Sequence, residues 1–130
     1  MSDAAKARLI TQKLLAHSQK TAVSFPHILT SFLIERLVAR LVAKPVLKTS
    51  LVFKGGFVGL RVYHNDRFTV DLDALLFKSD LRKTLAKVRE AAETDFGDGV
   101  WFVYENEVDL ATQGEYGGVR QVFRAGLGEK

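Results

Sequence analysis

An α+β domain, with N-terminal helices packed on a β-sheet, is the fold class this sequence predicts. Apolar residues recur at helical spacing as far as Pro45. Beyond it come apolar runs of strand length, separated by glycine turns and by a second helical stretch. With 47% hydrophobic residues, a chain of 130 can bury one core. Residues 1–130 therefore read as a single domain, with a helical part at about 3–44 and an α/β core at about 50–130.

Residues 3 to 17 suit a helix that Ser2 can cap, with Leu9, Ile10, Leu14 and Leu15 in one apolar stripe. Ser24 with Pro26 just inside marks a second start. Ile28, Leu29, Phe32, Leu33, Leu37 and Leu41 follow at helical spacing until the chain nears Pro45. Arg36 and Arg40 share a face of that helix, so an anion should lie near them, either a partner's or that of Glu35. Next come a strand near 50–54, a short helix near 57–63 and a strand near 68–77. Ser79 or Asp80 can cap a helix to about Glu93, with Leu81, Leu85 and Val88 inward. Asp95 to Gly99 should turn into a strand near 100–104, with a continuation near 107–110. Gly114 to Gly118 reads as another turn, and Val119 to Ala125 as the last strand. Tyr63, Trp101, Phe102 and Tyr104 suit strand or core packing better than base stacking.

Composition removes several classes of function. No apolar run reaches the roughly 18 residues that span a bilayer. The opening MSDAAKARL has no apolar segment of a secretory signal, and the absence of cysteine favours a cytoplasmic protein. Without cysteine there are no disulfides and no thiolate metal ligands, so a metal would sit on oxygen or imidazole. His17, His27 and His64 form no ligand set. The net charge of +4 is uneven: residues 1–50 carry eight Lys/Arg against Asp3 and Glu35, and residues 51–130 are slightly acidic. Such a basic first part attracts nucleic acid or phosphates, or is a solvated helical surface.

The chemistry lies in LVFKGGFVGLRVYHNDRFTVDLDALLF. The apolar run Leu51 to Phe53 ends at Lys54, Gly55 and Gly56. Further on, Asp71 and Asp73 interrupt a second run at i and i+2, which places both on one face of a strand. Thr69 has the same parity. Two carboxylates so close repel unless a cation or strong donors neutralise them. Divalent metal ions would do so, and would also activate an attacking oxygen and stabilise a leaving pyrophosphate. A solvent-facing strand is the plainer alternative, although aspartate is depleted from strands. The glycine pair leaves room for a triphosphate to approach the backbone, or is simply a turn. It is not a Walker loop, since Lys54 precedes the glycines.

A glycine pair followed by a strand bearing Asp-x-Asp resembles the nucleotidyltransferase superfamily of the DNA polymerase β type. LTSFLIERLVARL, LVFKGG, RFTVDLD and EYGGVRQVFRAGLG together resemble the AbiEii/AbiGii-type nucleotidyltransferase toxins, from about Ala7 to Glu129. The resemblance implies a mixed sheet of nucleotidyltransferase type. It also implies Mg²⁺ or Mn²⁺ on Asp71 and Asp73 as the catalytic pair. An NTP would be bound through Lys54, Gly55, Gly56, Arg67 and Thr69, and transferred to an RNA or protein hydroxyl. Arg67 would contact phosphate or hold the site together, or else pair with Asp66. Arg120, in the Tyr-Gly-Gly-Val-Arg pattern, is within reach of a phosphate. An antitoxin partner and a role in phage defence come with the family.

Two departures stand out. Phe57 occupies the place where the superfamily often has a Ser or Thr hydroxyl. The third acid of the superfamily belongs to a strand that would follow Lys130, and Glu105, Glu107 and Asp109 fall in the wrong segment. The resemblance thus implies a C-terminally truncated domain, either active with a partner or a catalytically dead nucleotide-binding or interaction module. A metal-dependent glycosyltransferase also uses Asp-x-Asp, but the nearby glycine pair argues against it. With a neighbour missing, the strand near 68–77 or 119–125 should expose an edge for a homodimer or hetero-complex.

Overall fold

The computed structural model describes residues 1–48, 57–63, 68–110 and 116–130. Three helices come first: α1 (Asp3–Thr21), α2 (Phe25–Val42) and the short α3 (Pro45–Lys48). Then come β1 (Phe57–Tyr63), β2 (Phe68–Phe77), α4 (Lys78–Ala92), β3 (Val100–Leu110) and β4 (Tyr116–Leu127). The four strands form one sheet in the order β1-β2-β4-β3, antiparallel at each pairing. The α+β class holds. Among the described residues no helix is long and apolar enough to cross a membrane.

Helices α1 and α2 begin where predicted, whereas α4 begins at Lys78, ahead of the expected caps Ser79 and Asp80. The Ala5 N–H donates to Ser2 Oγ at 3.1 Å, and Pro26 sits in the first turn of α2. The buried stripe of α2 runs Ile28, Leu29, Leu33, Leu37, Arg40 and Leu41. On α4, Leu81, Leu85 and Val88 turn inward together with Ala91 and Ala92. These two stripes cover one face of the sheet, made of Val70, Leu72 and Ala74 from β2, Phe102 from β3, and Val119, Phe123 and Ala125 from β4. By contrast α1 buries no residue fully, and its Leu9 and Leu15 remain exposed.

Several expectations are corrected. Residues 57–63 form a strand, not a short helix. Their alternation is of period two: Leu60 and Val62 pack toward the core, while Arg61 and Tyr63 are exposed. Tyr63 therefore lies outside the core, on the strand's exposed face. The two pieces expected at 100–104 and 107–110 are one strand, joined through a register shift between Tyr104 and Asn106. β4 starts earlier than expected, so Gly117 and Gly118 pair with Leu76 and Leu75 instead of turning. The expected exposed edge is also absent from both strands named for it. β2 lies between β1 and β4, and β4 between β2 and β3. The strand expected near 50–54 lies outside the described residues.

The anion facing Arg36 and Arg40 is internal. Asp98 accepts from Arg40 Nη1 and Nη2 at 3.0 and 2.9 Å, and from Arg36 Nε at 2.8 Å. Glu35 is only a 3.9 Å neighbour of Arg36 and is mostly exposed. Arg40 also donates to the carbonyls of Arg36, Thr94 and Val100, so all five of its N–H groups are engaged. Its guanidinium lies over the rings of Phe96 and Phe102. Burial raises the Asp98 pKa, but hydrogen bonds from Arg40, Arg36 and the Val100 N–H outweigh it and hold the carboxyl at about 2.

Candidate functional site

Strand alternation sets out the site. Val70, Leu72 and Ala74 of β2 are buried against the helices, so Thr69, Asp71 and Asp73 point to the opposite face, each half-buried. This is the face predicted for them. The antiparallel register then places basic residues on both sides. Arg61 of β1 stands opposite Asp71, and Arg120 of β4 stands opposite Asp73. Thr69 lies between Tyr63 and Arg124.

Arg120 neutralises Asp73 but leaves Asp71 short of a partner. Its Nε donates to Asp73 Oδ1 at 2.7 Å and its Nη2 to Asp73 Oδ2 at 3.1 Å, a two-pronged grip on one carboxylate. The same Nε is 3.9 Å from Asp71 Oδ2. The Arg120 hydrogen bond lowers the Asp73 pKa below the ordinary carboxylate value. Asp71 moves the other way: burial raises it, the neighbouring Asp73 adds to the rise, and the charges of Arg120 and Arg61 only partly oppose it. One carboxylate is thus well compensated and its neighbour is not.

The donor set suits a hard divalent cation. Two carboxylates on one face offer oxygen donors, and Mg²⁺ in general binds through one or two carboxylates when phosphates and water complete its shell. Among the described residues no group of three or more acidic or histidine side chains could hold a metal. Glu107 is bound by Arg82 and by the Tyr104 hydroxyl, and Asp109 lies 3.7 Å from the same arginine. Glu105 pairs with Arg124 at 2.8 Å. None of the three joins Asp71 and Asp73. Lys54, Gly55, Gly56 and Arg67 lie outside the described residues.

Arg61 was not among the residues expected on this face. Placing 57–63 on a helix removed it from this face, although the alternation Val58, Leu60, Val62 against Gly59, Arg61, Tyr63 was available to find it. Arg120 was expected within reach of a phosphate, not on Asp73, 47 positions away in the chain.

Helices on one side of an antiparallel sheet and an acid pair on the other give a layout consistent with a nucleotidyltransferase-like domain. The family model described as "Nucleotidyl transferase AbiEii toxin, Type IV TA system" matches residues 36–130, and the chain belongs to that family. Comparison with curated proteins and with solved structures gives no match. Membership makes this a nucleotidyltransferase-type toxin domain, of a class that generally uses divalent metal ions and nucleotides, in a toxin–antitoxin setting.

Proposed function

We propose that the face bearing Asp71 and Asp73 binds an NTP with Mg²⁺ or Mn²⁺, for nucleotidyl transfer to a hydroxyl of RNA or protein. One observation carries this reading: two carboxylates at i and i+2 share a half-exposed sheet face flanked by Arg61 and Arg120. Asp71 and Asp73 would hold the cation, which when bound polarises phosphate and hydroxyl oxygens. Thr69 lies on the same face as the acids, where its hydroxyl suits a nucleotide oxygen. Lys54, Gly55, Gly56 and Arg67 complete the proposed nucleotide site by family pattern. The setting proposed is the cytoplasm, where NTPs are abundant, with an antitoxin as counterpart and phage defence as the purpose.

Calorimetry of the chain against NTP with and without Mg²⁺ tests the site. Metal-dependent binding in the wild type that is lost in Asp71→Asn/Asp73→Asn supports it, and equal affinity in the double variant removes these residues from the site. A second reading is a nucleotide-binding module without transfer, favoured by the pairing of Glu105, Glu107 and Asp109 elsewhere. Consumption of labelled NTP with an RNA or protein acceptor separates the two, since a binding module leaves the nucleotide intact.

A further inference from the structure

The Arg120–Asp73 pair sits where the proposed cation must bind. Both Asp73 oxygens already accept from the guanidinium, at 2.7 and 3.1 Å, and its Nε is 3.9 Å from the nearer Asp71 oxygen. A divalent ion placed on these carboxylates would lie within a few ångströms of a fixed positive charge. At that distance repulsion is severe wherever water is partly excluded. The Arg120 side chain is nevertheless about one-third exposed (34%), and only two of its five donors are engaged on Asp73. It can swing without leaving a buried hole. A planar guanidinium forks onto a phosphate as well as onto a carboxylate.

Resting on the metal–NTP reading above, we propose that Arg120 is a positioning residue that exchanges partners. In the free protein it neutralises Asp73. When a metal–triphosphate arrives, its fork passes to a phosphate oxygen and releases Asp73 to the cation. Arg61, opposite Asp71 on the neighbouring strand and exposed, supplies a second positive charge on the same face and draws the polyphosphate toward the acids. Bare metal therefore binds poorly, and metal and polyphosphate each strengthen the other's binding. That coupling is reciprocal, so it can be measured from either side.

The experiment measures Mn²⁺ binding by the loss of the free-ion paramagnetic resonance signal, with and without inorganic triphosphate. The proteins are wild type, Arg120→Gln, Arg120→Lys and Arg120→Gln combined with Asp71→Asn/Asp73→Asn. Arg120→Gln should bind Mn²⁺ alone at least about fivefold tighter than wild type and bind Mn²⁺–triphosphate at least about fivefold weaker. A merely structural arginine would move both affinities in the same direction. Arg120→Lys keeps the charge but cannot fork, so its Mn²⁺ affinity should fall between the two; it carries the test if Arg120→Gln does not fold. Tighter Mn²⁺ binding that persists after both aspartates are replaced would overturn the metal site itself. Binding that depends on the aspartates yet is unchanged, or weaker, in Arg120→Gln and Arg120→Lys would leave the site standing and overturn the exchange.

Discussion

Two arginine–aspartate forks in this domain use the same chemical groups to opposite ends. Arg40 grips Asp98 with two prongs, is fully buried, and directs its other donors to three backbone carbonyls. Arg120 grips Asp73 with two prongs, is one-third exposed, and has a second carboxylate beside it. The first fork ties α2 to the turn before β3 and is saturated. The second crosses adjacent strands on the face turned away from the core, and beside it burial raises the Asp71 pKa more than the charges of Arg120 and Arg61 lower it. Saturation marks structure, and an unbalanced, reachable pair marks a site for something charged.

Removing Arg40 should produce the largest effect. Arg40→Met leaves Asp98 with only Arg36 and the Val100 N–H, and strips the Thr94 and Val100 carbonyls of their buried side-chain donors, which should cost about 3–5 kcal/mol in denaturant unfolding. A loss as small as that of Arg120→Gln would erase the contrast between the forks.

The pH dependence comes next. Asp98 ionises at about 2 in the folded chain against an ordinary 3.8. A depressed acid stabilises the fold above its unfolded pKa, and that contribution disappears as pH falls through the folded value. About 2 kcal/mol should therefore be lost between roughly pH 4.5 and pH 2. Asp98→Asn should be less stable at neutral pH and show a flatter acid limb. An unchanged acid limb would mean that other carboxylates dominate acid unfolding.

At the open fork the stability effects should be small. Asp71 is raised by burial, so ionising it works against folding, and Asp71→Asn should be neutral or stabilising by up to about 0.5 kcal/mol at pH 7. Arg120→Gln should leave the denaturation midpoint close to wild type, because a partly exposed ion pair contributes little. A large destabilisation in either variant would make this fork structural too.

The legible parts of the molecule were those fixed by local spacing. Ser2, Pro26 and the apolar stripe of α2 placed two helices, and the i, i+2 spacing put Asp71 and Asp73 on one face of β2. Leu81, Leu85 and Val88 oriented α4. What escaped depends on pairing across the chain. Asp98 is 58 positions from Arg40, and Arg120 meets Asp73 only through the β2–β4 register. The segment 57–63 went astray for another reason: a short helix was expected to follow the glycine pair, while its own residues alternate with the period of a strand. The expected free edge failed because β1 and β3 flank the strands thought to be bare.

Diffraction from crystals soaked in Mn²⁺ and inorganic triphosphate, recorded for manganese anomalous scattering, tests the central claim most directly. The account predicts an anomalous peak beside Asp71 and Asp73, with the Arg120 guanidinium withdrawn from Asp73 and set against a phosphate. A peak elsewhere, with Arg120 still forked on Asp73, would contradict it.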